Sequence, residues 1–310
     1  MLVQLRTFSR YSILVGLFIS LPLSYFFPNQ IGWQVVLALV ALAVGIPHGA
    51  VDHIVTVPKF PSVQMTLFLI GYLAVTGLAI WFLLVQNLVG FQLIVVISAI
   101  HFGVGDASFI SELDRRQGRT GFPKISYALA AGFTPVMIPL VNTQSADALA
   151  AVNPVLINWA GEWTEGIFYA VIVMNLLATA LMFIRKRNAE AIDLLALLGI
   201  SLIAPPLVAF AFYFGLWHAL RHTGRLTFEL PKAKAEHEAG NPSGAVWQAV
   251  KAGLPALILV LGFTLVLGLA TGFDLAADAL WYLLVVIWAL TVPHMALTAR
   301  LDAKAMGFRS

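Results

Sequence analysis

The chain has 310 residues, 60% of them hydrophobic and 11% charged, with a mean hydropathy of +0.89. Its 18 basic and 15 acidic residues are too few for the shell of a soluble domain, in which about a quarter of residues carry charge. A soluble globular enzyme, a disordered chain and a nucleic-acid binder are therefore excluded. The net charge is only +3 and there is no cysteine, which removes disulfides, thiolate metal sites, iron–sulfur clusters and cysteine nucleophiles.

In chain order, apolar runs long enough to span a bilayer occupy residues 11–27, 33–54, 65–85, 88–108, 125–141, 166–184, 247–273 and 276–299. The first lacks a small-residue cleavage site and reads as a retained span rather than a signal peptide. Residues 191–222 are too long for one helix, and Pro205-Pro206 divides them because proline breaks the hydrogen-bond ladder. The expected fold is all-α, a polytopic bundle of nine to ten membrane segments. Charge asymmetry favours ten with both termini cytoplasmic. Arg6, Arg10, Lys59, Arg115, Arg116, Arg119, Lys124 and Arg185-Lys186-Arg187 then share one side with Arg221, Arg225, Lys232, Lys234, Lys251, Arg300, Lys304 and Arg309. The opposite loops, including 142–165, carry no Lys or Arg. Residues 191–204 are short for a full span. The whole of 1–310 reads as one transmembrane domain with a polar cytoplasmic loop at about 226–244.

Six of seven histidines fall in the membrane segments: His48, His53, His101, His218, His222 and His294. Ionisable residues there are expensive and are functional candidates. The topology puts all six in the cytoplasmic third of the membrane. His218 and His222 are spaced i, i+4, ~40° apart around a helix, so both imidazoles reach one ion. Asp52 lies one turn below His48 and is a candidate to hold its ring from a second layer. His53 is ~140° round from His48, so the two do not share an ion, and an interfacial role competes with a supporting one. His101 lies deeper, where a hydrogen-bonded core histidine is the competing reading, and Asp106 reads as a cap of the cytoplasmic helix end. His294 follows Pro293 and bonds either the backbone freed there or the site. His237, between Glu236 and Glu238 in the polar loop, reads as a solvated bystander. An all-nitrogen donor set suits Fe, Zn, Cu or Ni. Phe102, Phe212, Tyr213, Phe214, Trp217 and Trp288 are candidates to line a pocket for a flat apolar chain, against ordinary membrane packing.

Together, Pro-His-Gly-Ala-x-Asp-His at 47–53, His-Phe-Gly-x-x-Asp at 101–106, Trp-His-x-x-Arg-His at 217–222 and Pro-His-Met at 293–295 resemble the Brp/Blh family. Its members are bacterial and archaeal membrane β-carotene 15,15′-dioxygenases associated with rhodopsin systems. The likeness runs from about residue 35 to 300. It implies an Fe(2+)-dependent multi-pass enzyme of the inner (plasma) membrane that uses O2 to split β-carotene at its central double bond into two all-trans-retinals, which can supply a rhodopsin. It also implies that His48, His101, His218 and His222 are the catalytic iron ligands. On this reading the carotenoid enters from the surrounding lipid, and Asp52, His53 and His294 are candidates for the supporting layer. Three other classes are weighed. A retinal photoreceptor needs a lysine inside a helix, whereas every lysine maps to a loop or helix end. A di-iron desaturase or hydroxylase typically needs about eight histidines in several boxes. A metal or proton transporter needs ionisable groups along a transmembrane path rather than in one layer.

Overall fold

The computed structural model describes residues 1–27, 30–51, 61–272, 274 and 278–307. Among these residues every regular element is helical. The helices are α1 (Leu2–Phe26), α2 (Ile31–Gly49), α3 (Ser62–Val85), α4 (Asn87–Gln117), α5 (Lys124–Val141), α6 (Ser145–Val152), α7 (Thr164–Ile184), α8 (Asn188–Ile203), α9 (Pro206–Ala211), α10 (Ala219–Leu226), α11 (Pro231–Glu238), α12 (Pro242–Thr271) and α13 (Ala279–Met306). Phe212–His218 is a π-helical stretch joining α9 to α10. Eight of the helices are long and apolar enough to cross a membrane, and they coincide with the eight single apolar runs. The ninth run folds as α8, a break at Ala204 and Pro205, and the chain α9–π–α10.

Local chemistry explains the boundaries. The Asn241 side chain accepts a hydrogen bond from Gly244 N at 3.0 Å, and Pro242 follows it, an N-cap with proline at the first helical position. Helix α4 ends where Gly118 takes φ +65° with Arg115 and Arg116 in the last turn, satisfying the left-handed cap and the helix dipole. Two stretches of expected loop are helical instead. The polar loop contains α11, whose Ala233 packs with Leu226, Leu230, Ala245 and Ala249. The loop at 142–165 contains α6, built from an alanine-rich segment with good helix propensity. It continues through short 3-10 turns, the first of them capped by the Asn153 side chain on Val155 N. Trp159 fixes the loop, its Nε1 donating to the Leu140 carbonyl and its own carbonyl accepting from Gln92 Nε2.

Helices α4 and α5 cross with backbones touching. A Cβ on Gly103 would overlap the Ala128 carbonyl, and one on Gly132 would overlap the Ala99 carbonyl. Small residues at such crossings replace the hydrophobic drive that lipid removes. This crossing sets the height of His101, two residues away. Gly103→Leu is expected to destabilise the fold by roughly 3 kcal/mol or more, since backbone cannot yield as a side chain can. Gly71→Leu on α3, where added atoms meet open space, is the matched control. Thermal unfolding of the two variants in detergent separates them; equal midpoints would contradict the crossing.

Candidate active site

Four chain segments deliver five imidazoles to one layer: His48 near the end of α2, His101 in α4, His218 and His222 on the π–α10 segment, and His294 in α13. All are buried. The His48 ring lies 5.7 Å from His218, 5.3 Å from His222 and 5.6 Å from His294 between ring centres. His101 is 5.5 Å from His218 and 5.1 Å from His294. The rings of His218 and His222 are 6.3 Å apart and nearly parallel, at 21°, on the shared face that the i, i+4 spacing provides. His294, left between two roles by the sequence, joins the layer.

The donors suit a metal in kind and in spacing. His101 Nε2 and both ring nitrogens of His218 and of His222 are buried without a hydrogen-bond partner, a state that normally costs about 1–3 kcal/mol per group. Two imidazoles on one ion, with metal–nitrogen distances of about 2.0–2.1 Å, have ring centres roughly 5.2 Å apart at a tetrahedral angle and about 6.4 Å apart when opposite. The separations of 5.3 to 6.3 Å observed among His48, His101, His218 and His222 fall in that window. Among the described residues no three His, Asp or Glu side chains stand in a metal-holding group as placed. The helices thus set the spacing of the rings. His48 is the best fixed, its Nδ1 donating to the Gly45 carbonyl, which leaves Nε2 for the centre of the layer.

Three residues differ from the sequence reading: Asp106, Trp217 and Phe212, whose ring packs against Gly16 of α1 and does not line the cavity. Asp106 is not a helix cap. It is 1% exposed and accepts hydrogen bonds from Trp217 Nε1 at 2.9 Å and Tyr213 Oη at 3.2 Å, while its other oxygen lies 3.7 Å from His218 Nδ1. Five residues beyond His101, it is carried to the inner side of α4 rather than to its end. Trp217 does not line a pocket: it is fully buried, bonded to Asp106 and stacked under the Arg221 guanidinium at 3.4 Å. Phe102, Tyr213, Phe214 and Trp288 do line the cavity, and the Phe102 ring is 4.4 Å from His218. Asp52 and His53 lie outside the described residues. His237 is not simply solvated, since its ring stacks on Phe228 at 4.5 Å and bonds Thr227 Oγ1 at 2.8 Å.

Glycines make room for this packing. A Cβ on Gly105 would stand 3.0 Å from His218 Cε1, and one on Gly49 would stand 3.4 Å from His294 Nδ1. At Gly45 it would strike the Phe214 ring, and at Gly253 the backbone of Pro47, next to His48. Gly45, Gly49, Gly105 and Gly253 are therefore part of the packing around the site.

Beneath the layer lies a buried ionic network that the sequence reading treated only as a marker of sidedness. Arg6 bonds Glu190 at 2.9 Å and Asp193 at 2.8 Å, and Arg10 bonds Asp193 at 2.7 Å. Arg187 pairs with Asp114, and Arg225 bonds Asp302 at 2.7 Å and Glu112 at 3.0 Å. Arg221 donates from Nε to Ser9 at 2.9 Å. The signal available in the sequence was Glu190 and Asp193 at the start of an apolar run: buried carboxylates need cations, and α1 supplies them.

Above the layer a cavity of about 830 Å³ opens, reached by His48, His101 and His294 and otherwise lined almost wholly by apolar side chains. That volume lies within the range of small-molecule sites. Fold and site together define a membrane protein of apolar helices in which buried imidazoles meet an apolar ligand cavity.

The particular family follows from comparison. The family "Beta-carotene 15,15'-dioxygenase" matches residues 39–302, and the chain belongs to it; by that family it is a dioxygenase, an oxidoreductase. A β-carotene 15,15′-dioxygenase of an uncultured marine bacterium, 66A03, is 28% identical over 194 residues, covering 60% of this chain and 66% of that protein. A probable β-carotene 15,15′-dioxygenase, Blh, of Halobacterium salinarum is 26% identical over 299 residues, 85% of this chain and 83% of that protein. No solved structure matches the chain.

Proposed function

We propose that this chain cleaves β-carotene at its central double bond with O2, giving two molecules of all-trans-retinal, and that Fe(2+) is held by His48, His101, His218 and His222. The observation that carries the reading is the layer of buried, largely unpartnered imidazoles at one end of an apolar cavity. Iron, when bound, supplies activation of O2 for attack on an alkene that no side chain here could oxidise. The remaining work belongs to the protein. The Gly45 carbonyl holds His48 with Nε2 free, and Asp106 stands beside Nδ1 of His218, favouring the tautomer that frees Nε2. Phe102 and Phe214 keep the reacting end of the cavity dry. No acid or base is required, since O2 enters whole and each carbon of the broken bond takes one oxygen.

The cavity supports entry from the bilayer. Helices α3 and α12 both pack on α13, and between them cavity-lining Leu73 and Leu259 are 66% and 71% exposed, so the mouth faces lipid. We further propose ten membrane segments within one domain, both termini cytoplasmic, in the inner membrane. The retinal formed is suited to loading a rhodopsin. The test is expression in cells that accumulate β-carotene. Iron-dependent loss of orange colour with retinal appearing is the expected result; retained colour with the protein present in the membrane would reject the reading.

A further inference from the structure

The cavity has a closed end, and its depth matches a molecular length. The histidines stand at one end of it. Along α4 the lining continues from His101 to Phe91, along α2 from His48 back to Ala38, and along α13 from His294 back to Leu280. At 1.5 Å per residue these stretches rise roughly 15, 15 and 21 Å above the layer, about the reach of half a C40 carotenoid from its central bond to its terminal ring. At the far end lies α6, which packs against α2, α5, α9 and α13 together. Its Ala148 and Leu149 are buried, at 4% and 3% exposure, and with Val152 they line the cavity. The loop that carries α6 is anchored through Trp159 to Leu140 and Gln92.

We propose that α6 is an end-stop, and that the distance from Leu149 to the histidine layer selects which double bond is cut. The inference rests on the carotenoid-cleaving reading above. One arm of the substrate fills the cavity until its ring meets α6, and the other arm trails through the mouth between α3 and α12. With a symmetric substrate a single measured arm suffices: whichever end enters, the central bond comes to rest at the histidines. The chemistry is unchanged from the proposed reaction; only the bond presented to it is chosen.

The experiment compares products by chain length. Purified iron-loaded wild type and the variants Leu149→Trp, Leu149→Ala and Val152→Phe are given β-carotene in detergent micelles, and the aldehydes are separated and weighed by mass spectrometry. A filled end should hold the arm back by a few ångströms, so that a bond nearer the inserted ring meets the site. The expected result for Leu149→Trp and Val152→Phe is a pair of unequal apocarotenals, or a fall in kcat/KM of tenfold or more, with iron content unchanged. Leu149→Ala should deepen the cavity and also yield unequal pairs. Val152 is only half-buried and tolerates added volume, so it carries the decision if Leu149→Trp does not accumulate. Equal C20 products at wild-type kcat/KM from every folded variant would overturn the end-stop while leaving the proposed function standing. A wild type that makes no aldehyde from β-carotene would remove both.

Discussion

Replacing His218 or His101 with alanine is expected to bring bound iron to background and to abolish retinal formation, while the protein still accumulates in the membrane. The two residues sit on different segments, α4 and the π–α10 chain, and their rings meet at 5.5 Å. His101 Nε2 and both His218 nitrogens lack a hydrogen-bond partner, so none of these three nitrogens has a hydrogen bond to lose. Alanine adds no charge and no volume, and it removes a buried polar group that was unsatisfied, so stability should change less than activity. A single missing donor of four opens the site and weakens the remaining three. Elemental analysis of the purified variants and chromatography of the extracted retinoid give the two readouts. Full activity in either variant would remove that residue from the ligand set. The same measurement on His294→Ala is informative because its ring is as close to His101 as any other, at 5.1 Å: the four-ligand assignment expects that variant to keep its iron.

Much of the fold was legible because lipid imposes a simple rule. A backbone in hydrocarbon must satisfy itself, so a long apolar run is a helix, and the eight single runs became the eight long helices. The divided run was legible as a break at Pro205-Pro206 but not in its form. A π-helical stretch is a change in hydrogen-bond register that composition does not encode, and it recurs at functional sites. Here it carries Tyr213, Phe214 and Trp217 up to His218. The histidine layer was legible because depth along a span can be counted from its ends. Side-chain direction was harder. Asp106 looked like an end cap because it lies near the polar terminus of its apolar run, yet α4 continues to Gln117, and the helical turn faces the residue inward. Loop 142–165 was read only as free of Lys and Arg; that it forms the far wall of the cavity depends on contacts with α2, α9 and α13, all remote in sequence.

The buried ionic network changes the meaning of the basic residues without moving them. The sequence assigns them to the cytoplasmic side, yet in the fold Arg6, Arg187, Arg221 and Arg225 are all less than a tenth exposed. A cation in such a place must be paired, and each one bonds a neighbour from another helix. The network therefore ties α1, α4, α8, α10 and α13 together immediately beneath the site. Arg221 links the two levels, lying three residues after His218 and stacked on Trp217, which in turn holds Asp106.

Asp106→Asn is expected to lower iron affinity about 10- to 100-fold, the usual effect of losing a carboxylate beside a metal-binding imidazole, and to lower retinal formation in proportion when iron is scarce. The carboxylate is held by Trp217 and Tyr213 on one oxygen, and the other, otherwise unpartnered, lies 3.7 Å from His218 Nδ1. Ionised, it attracts the proton to Nδ1 and leaves Nε2 as the donor to iron. An amide of the same shape keeps the packing but loses the charge, so the ring is no longer biased toward that tautomer. Tyr213→Phe should do less, because Trp217 still orients the carboxylate, and the lost hydroxyl was shared with the Ala131 carbonyl at 3.2 Å. Iron titration of the two variants distinguishes positioning from folding: a positioning role predicts that saturating iron restores Asp106→Asn turnover toward wild type with an unchanged unfolding midpoint of the iron-free protein. An iron affinity equal to that of the wild type would show that Asp106 acts on the helix packing and not through His218.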